Sequence, residues 1–344
     1  MDRIAIVILN FNGLTYLRKF LGRVVNYSSQ PGVSVWVADN GSSDGSAEWV
    51  EENFPDIKTI RFTDNQGFAG GYNLTLQNIC ADYYLLLNSD VEVTEGWLDP
   101  LLKFMDENHD AASVQPKILS WHNREYFEYA GASGGFIDKF GFTFCRGRIF
   151  GKVEKDEGQY DDVSEVFWTS GACMLVRASA WKNCGAFDPD FFAHMEEIDL
   201  CWRFHNRGWK LFALPESVIY HVGGGSLPYN SPFKTYLNFR NNLFLIYKNL
   251  PEENFRRTIF LRKLFDGVAV VFFSVSGKPA NALAVLKAHR DYYRNIPSLK
   301  IKRKLNLNET GNSAKIKTIM NKSLVLEVYL RGKRRFQMLK KYFQ

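Results

Sequence analysis

The sequence contains no CxxC pair, no run of twenty apolar residues, no GxGxxG fingerprint and no GK[ST] phosphate loop. Each absence removes a class of protein. The five cysteines, Cys80, Cys145, Cys173, Cys184 and Cys201, are scattered. An odd number without short spacings argues against a disulfide framework and a structural zinc site, and suits reduced thiols in a cytosolic setting. Without the two glycine signatures, a dinucleotide dehydrogenase and a P-loop enzyme are disfavoured. The start, "MDRIAIVILNFNG", places an acid at position 2 and has only a short apolar run, so no signal peptide is expected. The apolar stretch Leu264 to Val275 is far below the roughly 20 residues that a membrane span needs.

What is present is the composition of a globular protein. Apolar residues make up 46% of the 344 and charged residues 23%, enough for an ordinary core. The net charge of +6 hides an asymmetry. Residues 251–344 hold 21 Lys and Arg against 6 Asp and Glu, a balance of +15 that leaves −9 for residues 1–250. An acidic body with a basic tail invites an anionic partner for the tail, either nucleic acid or the inner membrane surface. The tail has no nucleic-acid motif, and its basic residues alternate with Leu, Ile and Phe, so no nucleic-acid partner is expected.

The pattern along the chain predicts an α/β fold. "IAIVIL" reads as a buried strand, and the next residues space Leu14, Leu17, Leu21 and Val24 as on a helix. "VSVWVAD" is a second strand and "SAEWVEENF" a short helix ended by Pro55. "IKTIRF" is a third strand, "GFAGGYNLTLQNIC" a glycine-rich helix entry, and "YYLLLN" a fourth strand. Such alternation implies βαβ units and a mostly parallel sheet flanked by helices. "SVQPKIL" and "CMLVRASAW" are candidate further strands, and "KDEGQYDDVSEV" reads as an exposed loop. From Pro251 the reading turns helical and basic. The expected organisation is a catalytic domain over residues 1–250 and a helical C-terminal extension over 251–344.

Four strand ends carry polar residues: Asn10, Asn12 and Gly13; then "ADNGSSDGS" with Asp39 and Asp44; then "DNQGFAGGYN" with Asn73; then "NSDVE" with Ser89, Asp90 and Glu92. A single such end is a solvated turn. Four in one half of an α/β domain describe a crevice that suits a nucleotide. Further on, "FDPDFFAHMEEIDLCWRF" gathers Glu196, Glu197 and Asp199, either an acidic helix start favoured by the macrodipole or a reactive cluster. His221 ends an apolar run and meets three glycines in "YHVGGGS".

Taken in order, "VILNFNG", "VADNGSSDGS", "NQGFAGGYN", "LLLNSDVEV", "TSGACMLVRASAW", "FDPDFFAHMEEIDLCWR" and "YHVGGGS" resemble an inverting family 2 glycosyltransferase of GT-A fold, in its rhamnosyltransferase-like branch, over residues 3–245. The resemblance implies transfer of one sugar, rhamnose being the commonest label, from a nucleotide-diphosphate donor to a saccharide or lipid-linked acceptor in bacterial surface polysaccharide assembly. "NSD" stands at the place of the family's DxD motif, with Asn for the first acid. It implies that Asp90 binds a divalent cation, Mg²⁺ or Mn²⁺, with His221 a second metal or diphosphate contact. Asp39 would hold the nucleoside, with Asn12, Asp44, Asn73 and Ser89 near it. Glu197 would be the base and Glu196 the fallback, where the family usually has Glu-Asp. Trp168 and Gly171 fall in the acceptor-side segment; Trp168 reads equally as core. The processive QxxRW signature is absent, which implies one sugar per event. The basic extension is expected to bind an anionic membrane surface, making the enzyme peripheral at the cytoplasmic face. A non-catalytic sugar-nucleotide or glycan-binding module is the alternative.

Overall fold

A computed structural model describes residues 2–224, 231–310 and 316–343. Gly225 and Ser226 of "YHVGGGS" lie outside the described residues.

The first half alternates as the sequence predicts: β1 (Asp2–Asn10), α1 (Leu14–Tyr27), β2 (Val33–Asp39), α2 (Ser46–Asn53), β3 (Lys58–Arg61), α3 (Gly67–Leu76) and β4 (Ala81–Asn88). These four strands are parallel and adjacent in the order β4-β1-β2-β3. Their polar carboxyl ends therefore share one edge of the sheet. Both faces of the central strands are covered, because Ile4, Ile6 and Ile8 enter one apolar core and Ala5 and Val7 the other. That is why they read as continuous apolar runs.

Beyond β4 the chain turns back at once into β5 (Val91–Val93), then α4 (Leu98–Glu107) and β6 (Ala111–Ser120). Short strands β7 (Gly135–Asp138), β8 (Thr143–Cys145), β9 (Arg148–Ile149) and β10 (Lys152–Val153) build a second, mostly antiparallel sheet. The main sheet is completed by β11 (Ser164–Glu165), β12 (Cys173–Arg177) and β13 (Lys210–His221), the last two separated by α5 (Ala178–Asn183) and α6 (Glu196–Asn206). Its order is β11-β13-β6-β12-β4-β1-β2-β3, with β5 paired to β13 and β12 antiparallel to both neighbours. Two details differ from the sequence reading. In "CMLVRASAW" the strand stops at Arg177 and "ASAW" opens α5. The loop "KDEGQYDDVSEV" is anchored: buried Lys117 bonds Asp156 at 2.8 Å and also Asp161, and Tyr160 is buried, accepting from Arg146 through its carbonyl.

After α7 (Pro232–Asn249), the C-terminal region is helical, with α8 (Glu252–Val275) and α9 (Pro279–Asn308). No helix of the described residues is long and apolar enough to cross a membrane. The closing segment departs from a basic helix. It forms β14 (Ile319–Met320), α10 (Leu324–Tyr329) and short 3₁₀ turns, and β14 joins the second sheet parallel to β7. "RGKRRFQMLKKYF" supplies Phe336, Leu339 and Phe343 to the core, where Phe336 packs 4.8 Å from the Phe136 ring. Leu324 N donates to Asp138 and Phe336 N to Glu154. Hydrophobic burial thus outweighs the segment's charge. Replacing Phe336 by Ala is expected to cost about 3 kcal/mol or more, as for a buried aromatic, read as a lower urea midpoint of the full chain. An unchanged midpoint would show that the segment contributes nothing to the core.

Candidate functional site

The turn Ser89–Asp90 joins β4 to β5, and β5 pairs antiparallel with the end of β13, with Val91 opposite His221. This pairing joins residues 131 positions apart: Asp90 Oδ1 lies 3.1 Å from His221 Nε2. Asp90 Oδ2 accepts from Gly223 N at 3.2 Å, where positive φ at Gly223 and Gly224 lets the backbone curl over the carboxylate. On the other ring nitrogen, Glu128 Oε2 stands 3.2 Å from Nδ1. All three side chains are buried. Burial opposes charge on His221, but the Asp90 and Glu128 carboxylates outweigh it and push its pKa up to about 10. Burial likewise opposes charge on Asp90, and the facing imidazolium holds its carboxyl below the usual range. Glu92 belongs elsewhere, bound by Trp121 Nε1 and Arg124 at 2.8 and 2.7 Å.

Glu196 and Glu197 begin α6 after an unusual loop. Phe192, His194 and Met195 all have positive φ without being glycine, a strain that surrounding contacts must hold. Asn241 of α7 does so: its buried amide donates to the carbonyls of Phe191, Ala193 and His194 at 2.9, 2.9 and 2.7 Å. The Phe192 carbonyl accepts from Phe68 N and Ala69 N at the start of α3. Gly67 is required there, since a Cβ would lie 2.5 Å from the Phe192 ring. The glycine-rich α3 start therefore receives a backbone carbonyl. Asp199 serves as support: it pairs with Arg203, Lys248 and Asn249 at 2.8–3.0 Å. The two glutamates have no such partners. Oε2 of each is buried without a hydrogen bond, as is Nε2 of His194. Burial raises the Glu197 pKa to about 7, and burial together with the neighbouring Glu197 raises Glu196 well above its ordinary value. Burial and then Lys234 lower His194 to about 4.

One cavity of about 720 Å³ brings these groups together, with Ser89, Asp90, His221, Glu196, Glu197, Gly171 and Trp168 all in its walls. Gly171 leaves room opposite Glu197, whose Cβ would be 4.0 Å from a side chain placed there. Trp168 is 3% exposed and donates its indole N–H to the Phe136 carbonyl at 3.1 Å, so its ring is mostly core. The remaining predicted residues do not line the cavity. Asp39 accepts from Ser42 N and Asn12 from Ser43 N, ordering the loop after β2. Asp44 accepts from Leu14 N and Ser46 N, and Asn73 exchanges two hydrogen bonds with the backbone of Phe187. Asn40 and Asn65, joined at 3.1 Å, line the cavity beside this loop. Reading the sequence missed His194, although it lies two residues before the acids. It also missed Glu128 and Asn241, which no local motif marks.

A family model described as glycosyl transferase family 2 matches residues 5–183. The chain belongs to this glycosyltransferase family. It is 26% identical over 235 residues to the N-acetylglucosaminyl-diphospho-decaprenol L-rhamnosyltransferase of Mycobacterium tuberculosis, covering 64% of this chain and 76% of that relative. Among solved structures it resembles S. aureus TarS 1-349 in complex with UDP-GlcNAc, with TM-score 0.56, 16% identity and coverage of 90% and 89%. It also resembles the mannosyltransferase PcManGT of Pyrobaculum calidifontis in complex with GDP-Man and Mn²⁺, with TM-score 0.52, 12% identity and coverage of 90% and 86%. The fold is GT-A, a large, mostly parallel mixed sheet flanked by helices, with a helical C-terminal region.

The donors of this glycosyltransferase fit a cation shared with a substrate. Among the described residues no cluster of three His, Cys, Asp or Glu could hold a metal alone. Glu128 faces the opposite ring nitrogen from Asp90, so it orients His221 and cannot meet Asp90 at one ion. Once a cation displaces the proton on Nε2 of His221, the carboxylate and imidazole suit Mn²⁺ or Mg²⁺ when diphosphate oxygens complete the shell. The strained loop gives a separate test. Asn241→Ala leaves the part-buried Ala193 and His194 carbonyls without this donor, while Phe191 keeps Arg240, and is expected to cost about 1–3 kcal/mol. Denaturant unfolding checks this; an unshifted curve would mean that the loop holds itself.

Proposed function

We propose that this glycosyltransferase moves one sugar, with inversion and without processivity, from a nucleotide-diphosphate donor to a saccharide or lipid-linked acceptor. The observation that carries the proposal is the shared cavity: the Asp90–His221 pair and two glutamates, each with a buried Oε2 that lacks a hydrogen bond, line the same space. The donor and cation follow from the solved relatives named above, one with UDP-GlcNAc and one with GDP-Man and Mn²⁺. Assembly of bacterial surface polysaccharide, and rhamnose as the sugar, rest on the rhamnosyltransferase relative. In this reading the catalytic domain spans residues 1–250 and the extension 251–344.

The acceptor hydroxyl attacks the anomeric carbon as the bond to the nucleotide diphosphate breaks, and Glu197 takes the hydroxyl proton. Its pKa of about 7 lets it ionise near neutrality, and burial raises both acids of the pair. The bound cation, held by Asp90 and His221, would neutralise charge on the departing diphosphate. Asp39, Asn12 and Ser89 would meet the nucleotide, while Asp44 and Asn73 fix the loops around it. Gly171 and the edge of Trp168 would face the acceptor. A non-catalytic binding module on the same fold is disfavoured by the same unpartnered glutamates, since a binding site gains nothing from costly buried acids.

Asp90→Asn, which keeps the shape of the buried side chain, is expected to abolish release of free nucleotide from a donor panel, and EDTA to do the same to the wild type; full activity in EDTA would overturn the cation. Glu197→Gln is expected to lose about 10²- to 10⁴-fold in turnover with donor binding retained. Because the raised Glu197 acid is protonated below about 7, wild-type turnover should fall about tenfold per pH unit below that point. The residual turnover of Glu197→Gln should lack this limb. Wild-type turnover in Glu197→Gln, with loss in Glu196→Gln, would move the base to Glu196.

A further inference from the structure

The end of α8 and the start of α9 form a helical hairpin with an uncovered apolar face among the described residues. On α8, Phe260, Leu264, Val268, Val271, Phe272 and Val275 recur at three- and four-residue steps, with Val268 67% and Val275 79% exposed. No charged residue occurs from Gly267 to Gly277. Across the turn, α9 adds exposed Leu283 and Leu286. Basic residues ring this tip: Lys278 at the turn and Lys287, Arg290 and Arg294 on α9 are all exposed. Only two acids lie between Phe260 and Arg294. Asp266 is buried against Arg262 and His289, and Asp291 accepts from Tyr236 and Arg290. Part of the rest of the extension's positive charge is used inside the fold, and part is exposed elsewhere, as at Arg334, Arg335, Lys340 and Lys341. Lys302 bonds Asp188 and Asp190, Arg303 bonds Glu252, and Lys333 bonds Glu327.

We propose that the α8–α9 tip is a membrane-docking device, seating its apolar face in an anionic bilayer with the basic ring at the headgroups. The occupant follows from charge. A second copy meeting this face about a two-fold axis would bring two basic rings together, whereas anionic headgroups complement one. The apolar face is too short to span, so the hairpin lies in the interface. Arg262, on the same helix as the apolar stripe, lines the cavity. Docking therefore holds the cavity close to the bilayer, where a lipid-linked glycan presents its sugar. This last step rests on the transferase reading; the docking itself does not.

Flotation of the full chain with phosphatidylcholine vesicles, with and without phosphatidylglycerol, tests the proposal. The wild type should float with the anionic vesicles, less with neutral ones, and less as salt screens the ring. Val271→Glu with Phe272→Glu should lower binding about tenfold or more, and Leu283→Glu with Leu286→Glu should do the same from the other helix. Both variants alter exposed residues, so circular dichroism and donor hydrolysis should match the wild type. The proposal is overturned if the wild type stays out of anionic vesicles at low salt, or if both variants float as the wild type does. A vesicle-free dimer dissolved by the same substitutions would also overturn it, in favour of a second copy. A wild type that floats but hydrolyses no donor would support docking and count against the transferase reading.

Discussion

The acid-bearing wall of the cavity depends on one buried helix. From α7, Asn241 takes up three loop carbonyls, and two turns further on Lys248 places its ammonium between Asp188 and Asp199 at 2.5 and 2.9 Å. A buried ammonium is tolerated only when paired and hydrogen-bonded, and here the pairing ties the two ends of the loop between α5 and α6. With both ends fixed, the backbone between them can hold three non-glycine residues at positive φ. Glu196 and Glu197 then enter the cavity without partners of their own.

The cost of that arrangement falls on the glutamates. A carboxyl group without a hydrogen bond in a buried wall is destabilising, and raising its pKa is how the fold accommodates it. Asp199, three and two residues further along the same helix, takes the opposite course: it is fully buried and saturated by Arg203, Lys248 and Asn249. Three acids in four positions thus divide into one that holds the structure and two left available for chemistry. The division comes from which helix faces each one. Across the cavity, Asp90 and His221 are similarly divided from Glu128, which touches only the far side of the imidazole.

The C-terminal extension is part of this machinery. Lys302 of α9 reaches Asp188 and Asp190 beside the same loop, and Arg303 bonds the carbonyls of Tyr247 and Leu250 at the end of α7. The last residues add a strand to the second sheet and a phenylalanine cluster to the core. Some of the basic charge is therefore structural on the inner side, while four exposed basic residues, Lys278, Lys287, Arg290 and Arg294, lie beside the apolar hairpin.

The sequence by itself determined the parallel half of the sheet, because βαβ units carry their signal in local periodicity and strand ends are adjacent wherever consecutive strands are. It also marked Asp90, Glu196, Glu197 and His221, since each stands in a compact motif. It could not separate Asp44 and Asn73, which hold backbone, from residues that line the cavity, because the same polar residue types serve both ends. Tertiary structure alone decided that the glycine-rich α3 start meets the Phe192 carbonyl, that Trp168 lies mostly in the core, and that Phe336 and Leu339 of the basic closing segment are buried. Tertiary structure also brought in Glu128 and Asn241. These are contacts between residues tens of positions apart. They are set by how strands and helices pack, for which a single chain carries no local period to read.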